Sequence, residues 1–209
     1  MLDDWLERWE KGRTGWHEEA GNAGLRAHWQ EHGGRVLVPL CGKSADLAWL
    51  ARQGHEVVGV EIARKAIESF FAEQDLRYEV KRGAALDCYR STELPISLYC
   101  GDYFAFSEGP FDALYDRGAF VAIRPALRER YAAHTLRLLG ENAGILLVTV
   151  EYDQQAASGP PFSVSADVVR QAWGYLAQVE RRDDLDNCPP KFRDAGLTAF
   201  EEVVWRSPR

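Results

Sequence analysis

Residues 35–61, RVLVPLCGKSADLAWLARQGHEVVGVE, constrain the fold more than any other stretch, because they spell strand, glycine turn, helix, second strand and terminal acid without interruption. Val36, Leu37 and Val38 form a short apolar run suited to a strand buried on both faces of a parallel sheet. Gly42 breaks that run, and Asp46 is expected to cap a helix in which Leu47, Leu50 and Ala51 recur at helical spacing. Gly54 stands where a left-handed C-terminal cap belongs, and Val57, Val58, Gly59 and Val60 return to the sheet. The run is half of a nucleotide-binding βαβ unit, which places the chain in the α/β class. Glu61 then stands about twenty residues past the glycine turn, where such folds hold ribose hydroxyls. The competing role for it is an exposed glutamate opening a helix.

Two phosphate-binding motifs fail here on spacing. Gly42-Lys43-Ser44 imitates the end of a P-loop, but the leading glycine would have to stand where Leu37 is. A dinucleotide fingerprint needs three glycines, and residues 39–44 contain one. The expected ligand is therefore a nucleoside without a phosphate chain, and S-adenosylmethionine fits that description.

The run VPLCGKSADLAWLARQGHEVVGVE resembles the thiopurine S-methyltransferase family, within the class I S-adenosylmethionine-dependent methyltransferases. Further matching segments are WLERWEKGRTGWH at 5–17, ISLYCGDYF at 96–104, FDALYDRGA at 111–119, EYD at 151–153 and GPPFSV at 159–164. They follow family order across nearly the whole chain. The resemblance implies a Rossmann-like fold, with a seven-stranded, mostly parallel sheet, helices on both faces and an N-terminal helical lid. It implies one methyltransferase domain over 1–209, with 1–33 as the lid segment and 34–209 as the α/β core. It also implies S-adenosylmethionine as cofactor and transfer of its methyl group to the sulfur of thiopurines or other aromatic and heterocyclic thiols.

Bulk properties narrow the alternatives. A formal charge of −7 argues against a nucleic-acid-binding surface, for which a concentrated basic patch is expected. No apolar run approaches the ~20 residues of a membrane span, and the opening MLDDWLERWEK is acidic where a signal peptide is basic and then apolar. A cytoplasmic monomer acting on a small-molecule thiol, without nucleic-acid or membrane partners, is the expectation. Cys41, Cys88, Cys100 and Cys188 form no CxxC pair and no cluster with histidines, so neither a metal site nor a disulfide framework is expected.

Along the chain, four of the seven tryptophans, Trp5, Trp9, Trp16 and Trp29, precede the first strand. Trp5 and Trp9 share a helical face, which by itself reads as core packing. The resemblance instead makes this segment a lid over the cofactor, with Trp5, Trp9 and Trp16 in its pocket, Trp16 also near substrate, and His17 a hydrogen-bonding lid residue. A sulfonium cation and an adenine plane both suit aromatic faces. A second crossover helix is expected over 62–74, while residues 77–95 give only a weak hairpin signal. The strand at 96–100 ends in Gly101-Asp102-Tyr103, at the carboxyl edge where open α/β sheets bind ligands. Asp102 can accept from an adenine amino group and Tyr103 can flank the ring, or Asp102 can serve a turn; the resemblance favours binding. It also assigns Leu40 and Gly42 to the cofactor.

The strand at 111–115 leads into Asp116-Arg117-Gly118 at the same edge. Arg117 could pair with Asp116 or Asp112 on the surface. The resemblance places it on the substrate side, where a guanidinium can steady a sulfur nucleophile and reach the cofactor. A helix opening at Pro125 and ending at Gly140, a fifth strand over 145–150, a loop at 159–162 over the site, a helix started by Ser165 and Asp167, and strands around 179–182 and 198–206 complete the expected order. Family members can carry a second substrate-side arginine where this chain has Lys191, with Arg193 two residues on, and lysine cannot reproduce a planar bidentate contact. Cys41 reads as a small packing residue rather than a nucleophile. The rival readings are a methyltransferase for small inorganic nucleophiles (halide, thiocyanate, selenium or tellurium species), a nicotinamide-dependent oxidoreductase, and a cofactor-binding protein without turnover.

Overall fold

In the computed structural model, which describes residues 2–13, 18–30 and 34–208, the alternation of β1 (Arg35–Pro39) sets the layering. Val36 and Val38 face one apolar core and Leu37 the other, as the two-residue period of a strand requires. β2 (Glu56–Glu61) and β6 (Phe111–Arg117) repeat the pattern, with Val57, Ala113 and Tyr115 on the first side and Val58, Val60 and Leu114 on the second. α2 (Ala23–His28), α3 (Asp46–Arg52) and α4 (Arg64–Glu73) cover the first core through Leu25, Leu47, Leu50, Ile67, Phe70 and Phe71. α5 (Arg128–Leu138) and α6 (Ala166–Trp173) cover the second through Tyr131, Val169 and Trp173.

Nine strands among the described residues form one sheet in the order β3-β4-β5-β2-β1-β6-β7-β9-β8. The five central strands, which include β5 (Ile96–Cys100) and β7 (Leu139–Glu151), are parallel. β8 (Ala177–Asp183) and β9 (Glu201–Arg206) close one side antiparallel. These seven are the expected strands. The other two, β3 (Tyr78–Lys81) and β4 (Asp87–Ser91), form an antiparallel hairpin from the stretch that was nearly silent in the sequence. Its anchor is aromatic: Tyr89 is 2% exposed and packs on Tyr78, which lies on Phe71 of α4 with ring centres 4.6 Å apart. The sheet is therefore mixed at both edges and longer than seven strands.

Three boundaries also differ from expectation. Asp46 does not cap α3: Ala45 holds the cap position, while the Asp46 carboxylate accepts from the Asn22 N–H and the Tyr115 hydroxyl, each at 2.8 Å. β7 begins at Leu139 rather than 145, and a register shift opposite Phe111 and Ala113 absorbs its polar first residues. α5 starts at Arg128 after a 3-10 turn at Pro125–Leu127 and stops before Gly140. Gly54, with φ +93°, follows α3 as expected.

Candidate functional site

The carboxyl ends of the central strands open into one cavity of about 380 Å³, within the range of small-ligand pockets. Its floor begins with the turn after β1, where Leu40 and Gly42 both take positive φ, 45° and 56°. For leucine that conformation is uncommon and is tolerated where the surroundings over-determine it. At Gly42 a side chain is disfavoured by φ, and an added Cβ would sit a tight 3.2 Å from Trp9 Cζ2.

Glu61 holds this turn in place. Its Oε2 accepts the Gly42 N–H at 2.9 Å and its Oε1 accepts the Ala63 N–H at 2.8 Å. The residue is 5% exposed, and burial pushes its pKa up against the lowering effect of those N–H groups. The Ile62 N–H acts on it as well, and because a carboxylate offers about four acceptor positions Glu61 retains capacity toward the cavity that it lines. The exposed helix-opening role considered for Glu61 is excluded by its burial. Cys41, 6% exposed, packs its Sγ against Gly59, and burial together with Glu61 raises its thiol pKa. That is a packing cysteine and an unreactive one.

α1 (Leu2–Glu10) lies across this end of the cavity. Trp9 is 5% exposed against Ala63 and Ala66 of the α4 start, and Trp5 lines the opening with the Arg8 guanidinium 5.3 Å from its ring centre. Trp9 therefore combines the packing and cavity-lining roles. Trp16 and His17 lie outside the described residues. After β5, Asp102 Oδ1 accepts the Phe104 N–H at 3.0 Å, capping a 3-10 turn at Tyr103–Ala105, so the turn role is realised while the residue also lines the cavity. Tyr103 lines it too, but its ring packs on Tyr131 and His134 and its hydroxyl meets Thr135 Oγ1 at 2.9 Å. Burial raises that phenol's pKa.

Across the cavity, Arg117 ends β6 and pairs with Glu18, not with Asp116 or Asp112. Asp112 accepts the Arg35 N–H, and Asp116, fully buried, accepts from Phe120 N–H at 3.0 Å and Tyr131 hydroxyl at 2.7 Å. Burial opposes the charge of Arg117, yet Glu18, followed by Tyr115, Glu202 and Asp46, outweighs it and lifts its pKa, so the guanidinium is permanently charged. Glu18 belongs to a polar network that joins the N-terminal segment to the sheet. Asn22 Nδ2 donates to Glu18 at 3.2 Å and to Glu202 at 3.0 Å, and its Oδ1 caps α2. Arg182 donates to the other oxygen of Glu202.

Val148, the register partner of Arg117, together with Val150, Pro160, Pro161 and Phe200, adds apolar surface to the same lining. Lys191, in the short helix α7 (Pro190–Asp194), is not brought to the cavity: its ammonium donates to the carbonyls of Ser158 and Pro160, at 3.0 and 2.5 Å, and lies over the Phe192 ring. It clasps the proline loop. Sequence reasoning overlooked Glu18, Asn22, Glu202 and Arg130, the last lining the cavity 4.2 Å from the Phe104 ring centre. No local pattern marked them; charge beside the matching segment at 5–17 was the one available signal for Glu18.

A family model described as "Thiopurine S-methyltransferase (TPMT)" matches residues 1–209. A thiopurine S-methyltransferase of Pseudomonas fluorescens (strain Pf0-1) is 43% identical over 97% of this chain and 96% of its own. One of Bordetella petrii is 41% identical over 98% and 97%. Among solved structures, a Burkholderia thailandensis 1,6-didemethyltoxoflavin-N1-methyltransferase with bound S-adenosylhomocysteine superposes with TM-score 0.62 at 18% identity, covering 100% of this chain and 87% of that one. That likeness concerns the fold.

Proposed function

Because the chain belongs to the thiopurine S-methyltransferase family and is an S-adenosylmethionine-dependent methyltransferase, we propose that it methylates the sulfur of thiopurines and other aromatic or heterocyclic thiols. The observation that carries this reading is one cavity with a doubly anchored acid, Glu61, at one end and a permanently charged guanidinium, Arg117, against apolar walls at the other. The first end suits the nucleoside of S-adenosylmethionine and the second a flat, sulfur-bearing acceptor.

The residues fit that cofactor. Glu61 would accept from ribose hydroxyls, Asp102 and the Tyr103 backbone would meet the adenine, and Leu40, Gly42, Trp5 and Trp9, which share the cavity lining, would enclose the rest. A nicotinamide dinucleotide fits poorly, because the Gly42 N–H that a pyrophosphate would need is already taken by Glu61. When bound, S-adenosylmethionine supplies an electrophilic methyl group. Arg117 steadies anionic character on the acceptor sulfur, and Pro160, Pro161 and Phe200 hold the ring and exclude water, so alignment provides much of the acceleration. The apolar walls favour an organic acceptor over a halide or an inorganic selenium or tellurium species. Lys191 acts on the acceptor side through the proline loop and not by direct contact.

No helix among the described residues is long and apolar enough to cross a membrane. We extend the proposal to a cytoplasmic monomer of one domain, with residues 1–33 as lid and 34–209 as core, in keeping with a single family model that matches residues 1–209. Calorimetric titration with S-adenosylhomocysteine, followed by methyl transfer to 6-mercaptopurine, tests the function. Binding with turnover is expected. Binding without turnover across organic thiols would reassign the acceptor, and no binding would overturn the reading.

A further inference from the structure

The pairing of Glu18 with Arg117 has a chemical consequence that depends on the acceptor's protonation state. A thiolate brings negative charge to the site, and Arg117 alone is complementary to it. A heterocyclic thione is neutral and carries its proton on ring nitrogen, beside the C=S group. As its sulfur is methylated, positive charge develops on the ring, and an isolated guanidinium would oppose that change. A carboxylate beside the guanidinium reverses the local balance. Glu18 is the cavity-lining acid bonded to Arg117, and its side chain is 32% exposed. Its Oε1 accepts from Arg117 and its Oε2 from Asn22, which leaves each oxygen one acceptor position. Glu202 lines the same cavity but is 3% exposed, with one oxygen on Arg182 and the other on Asn22. Asp184 enters the lining at the same sheet edge but from the loop after β8, three strands from Arg117 in the order β6-β7-β9-β8, and its Oδ1 accepts from Asn187.

We propose that Glu18 is a catalytic residue for thione acceptors: it accepts the hydrogen bond of the ring N–H and takes its proton as the adjacent sulfur is methylated. The inference rests on the methyltransferase reading above and adds the acceptor class, heterocycles with an –NH–C(=S)– unit, whose donor and acceptor stand side by side like the carboxylate and guanidinium they meet. In the step, the acceptor sulfur forms the new S–CH3 bond, and the methyl–sulfonium bond breaks with its electron pair left on the departing sulfur. The N–H proton passes to the Glu18 carboxylate, C=S becomes C–S, and the ring C–N becomes C=N. One cation and one carboxylate become two neutral species, so charge balances. A carboxylate is a weak base toward the resting thione, but the ring N–H becomes acidic as the S–CH3 bond forms, and positioned proton acceptance of this kind contributes about 10²–10⁴-fold.

The test compares the parent chain with Glu18→Gln on two acceptors in slightly acidic buffer: 6-mercaptopurine as the neutral thione, and 4-nitrobenzenethiolate, already ionised and without a ring N–H. Glutamine keeps an acceptor for Arg117 but cannot take a proton. Turnover of the thione is expected to fall about 100-fold or more, and that of the thiolate, relieved of a negative neighbour, to hold or rise. Calorimetry of both acceptors on the protein saturated with S-adenosylhomocysteine supplies a readout apart from activity, with weakened binding confined to the thione. Equal losses on both acceptors would make Glu18 a mere support for Arg117 and overturn the proposal, as would no loss on either. Failure of the parent chain on both acceptors would instead overturn the thiol-acceptor reading, and this proposal with it.

Discussion

Replacing Glu61 by alanine separates the two tasks that the structure gives one carboxylate. Its oxygens accept the N–H groups of Gly42 and Ala63 at 2.9 and 2.8 Å inside a 5% exposed site, so the variant strands two buried donors in the turn that floors the cavity. Hydrogen bonds to an ionised group contribute about 1.5–3 kcal/mol each. The burial that raises the Glu61 pKa offsets part of this, which leaves a net loss of about 2–4 kcal/mol. For a chain of this size that lowers the melting temperature by about 5–15 °C, measured by calorimetry without ligand. The same variant loses the acceptors for ribose, so its dissociation constant for S-adenosylhomocysteine should rise at least about tenfold, equivalent to about 1.4 kcal/mol. An unchanged melting temperature would refute the anchoring of the glycine turn, and an unchanged dissociation constant would refute the ribose contact. Either result is visible without the other.

Arg117→Ala should lower turnover of thiolate acceptors about 10²–10³-fold while the affinity for S-adenosylhomocysteine, measured by titration, moves little. Lys191→Met releases the carbonyls of Ser158 and Pro160. Faster hydrogen exchange over 158–164 and a KM raised a few-fold for bulky acceptors are expected, with cofactor affinity intact; a loss of turnover without faster exchange would return Lys191 to direct substrate contact. Asp116, fully buried, has its pKa raised by burial from 3.8 to about 6. A raised carboxylate stabilises the fold below its ordinary value and loses that contribution as pH climbs through the raised one. The stability difference between the parent chain and Asp116→Asn, from urea midpoints, should therefore shift against the parent by about 2.4 kcal/mol between about pH 4 and pH 7. A difference that stays constant across this interval would contradict the burial argument.

The parts of the site legible in the sequence share a physical basis. Leu40, Gly42, Glu61, Asp102, Tyr103 and Arg117 all stand at the carboxyl ends of parallel strands, and parallel strands announce themselves locally through short apolar runs broken by glycine or acid. Once the strands are found, the edge is found, because the fold aligns those ends. The hairpin of β3 and β4 escaped because its strands are largely solvent-facing and hang on two tyrosines rather than on a periodic apolar pattern. The bonds Lys191 makes were not legible because they go to what the loop at 158–161 offers it: carbonyl oxygens, which leave no trace in side-chain sequence.

The network around Arg117 was illegible for a stronger reason. Glu18 lies 99 residues from Arg117, and Asn22 lies 180 from Glu202, so no local window contains both members of either pair. Their pairing follows from the buried demand of each group. Asp46, Asn22, Tyr115 and Glu202 are all 3% exposed or less, and polar groups at that depth persist when each finds a partner. Asn22 satisfies most of that demand, since it donates to both glutamates, caps α2 through its oxygen and gives its backbone N–H to Asp46. The acid beside Arg117 is thus held by the same residue that fastens the N-terminal segment to β9. A change that frees residues 18–28 from β9 would thus also loosen one of the bonds that hold Glu18 beside the guanidinium, so the packing of this segment and the charge beside Arg117 are linked through Asn22.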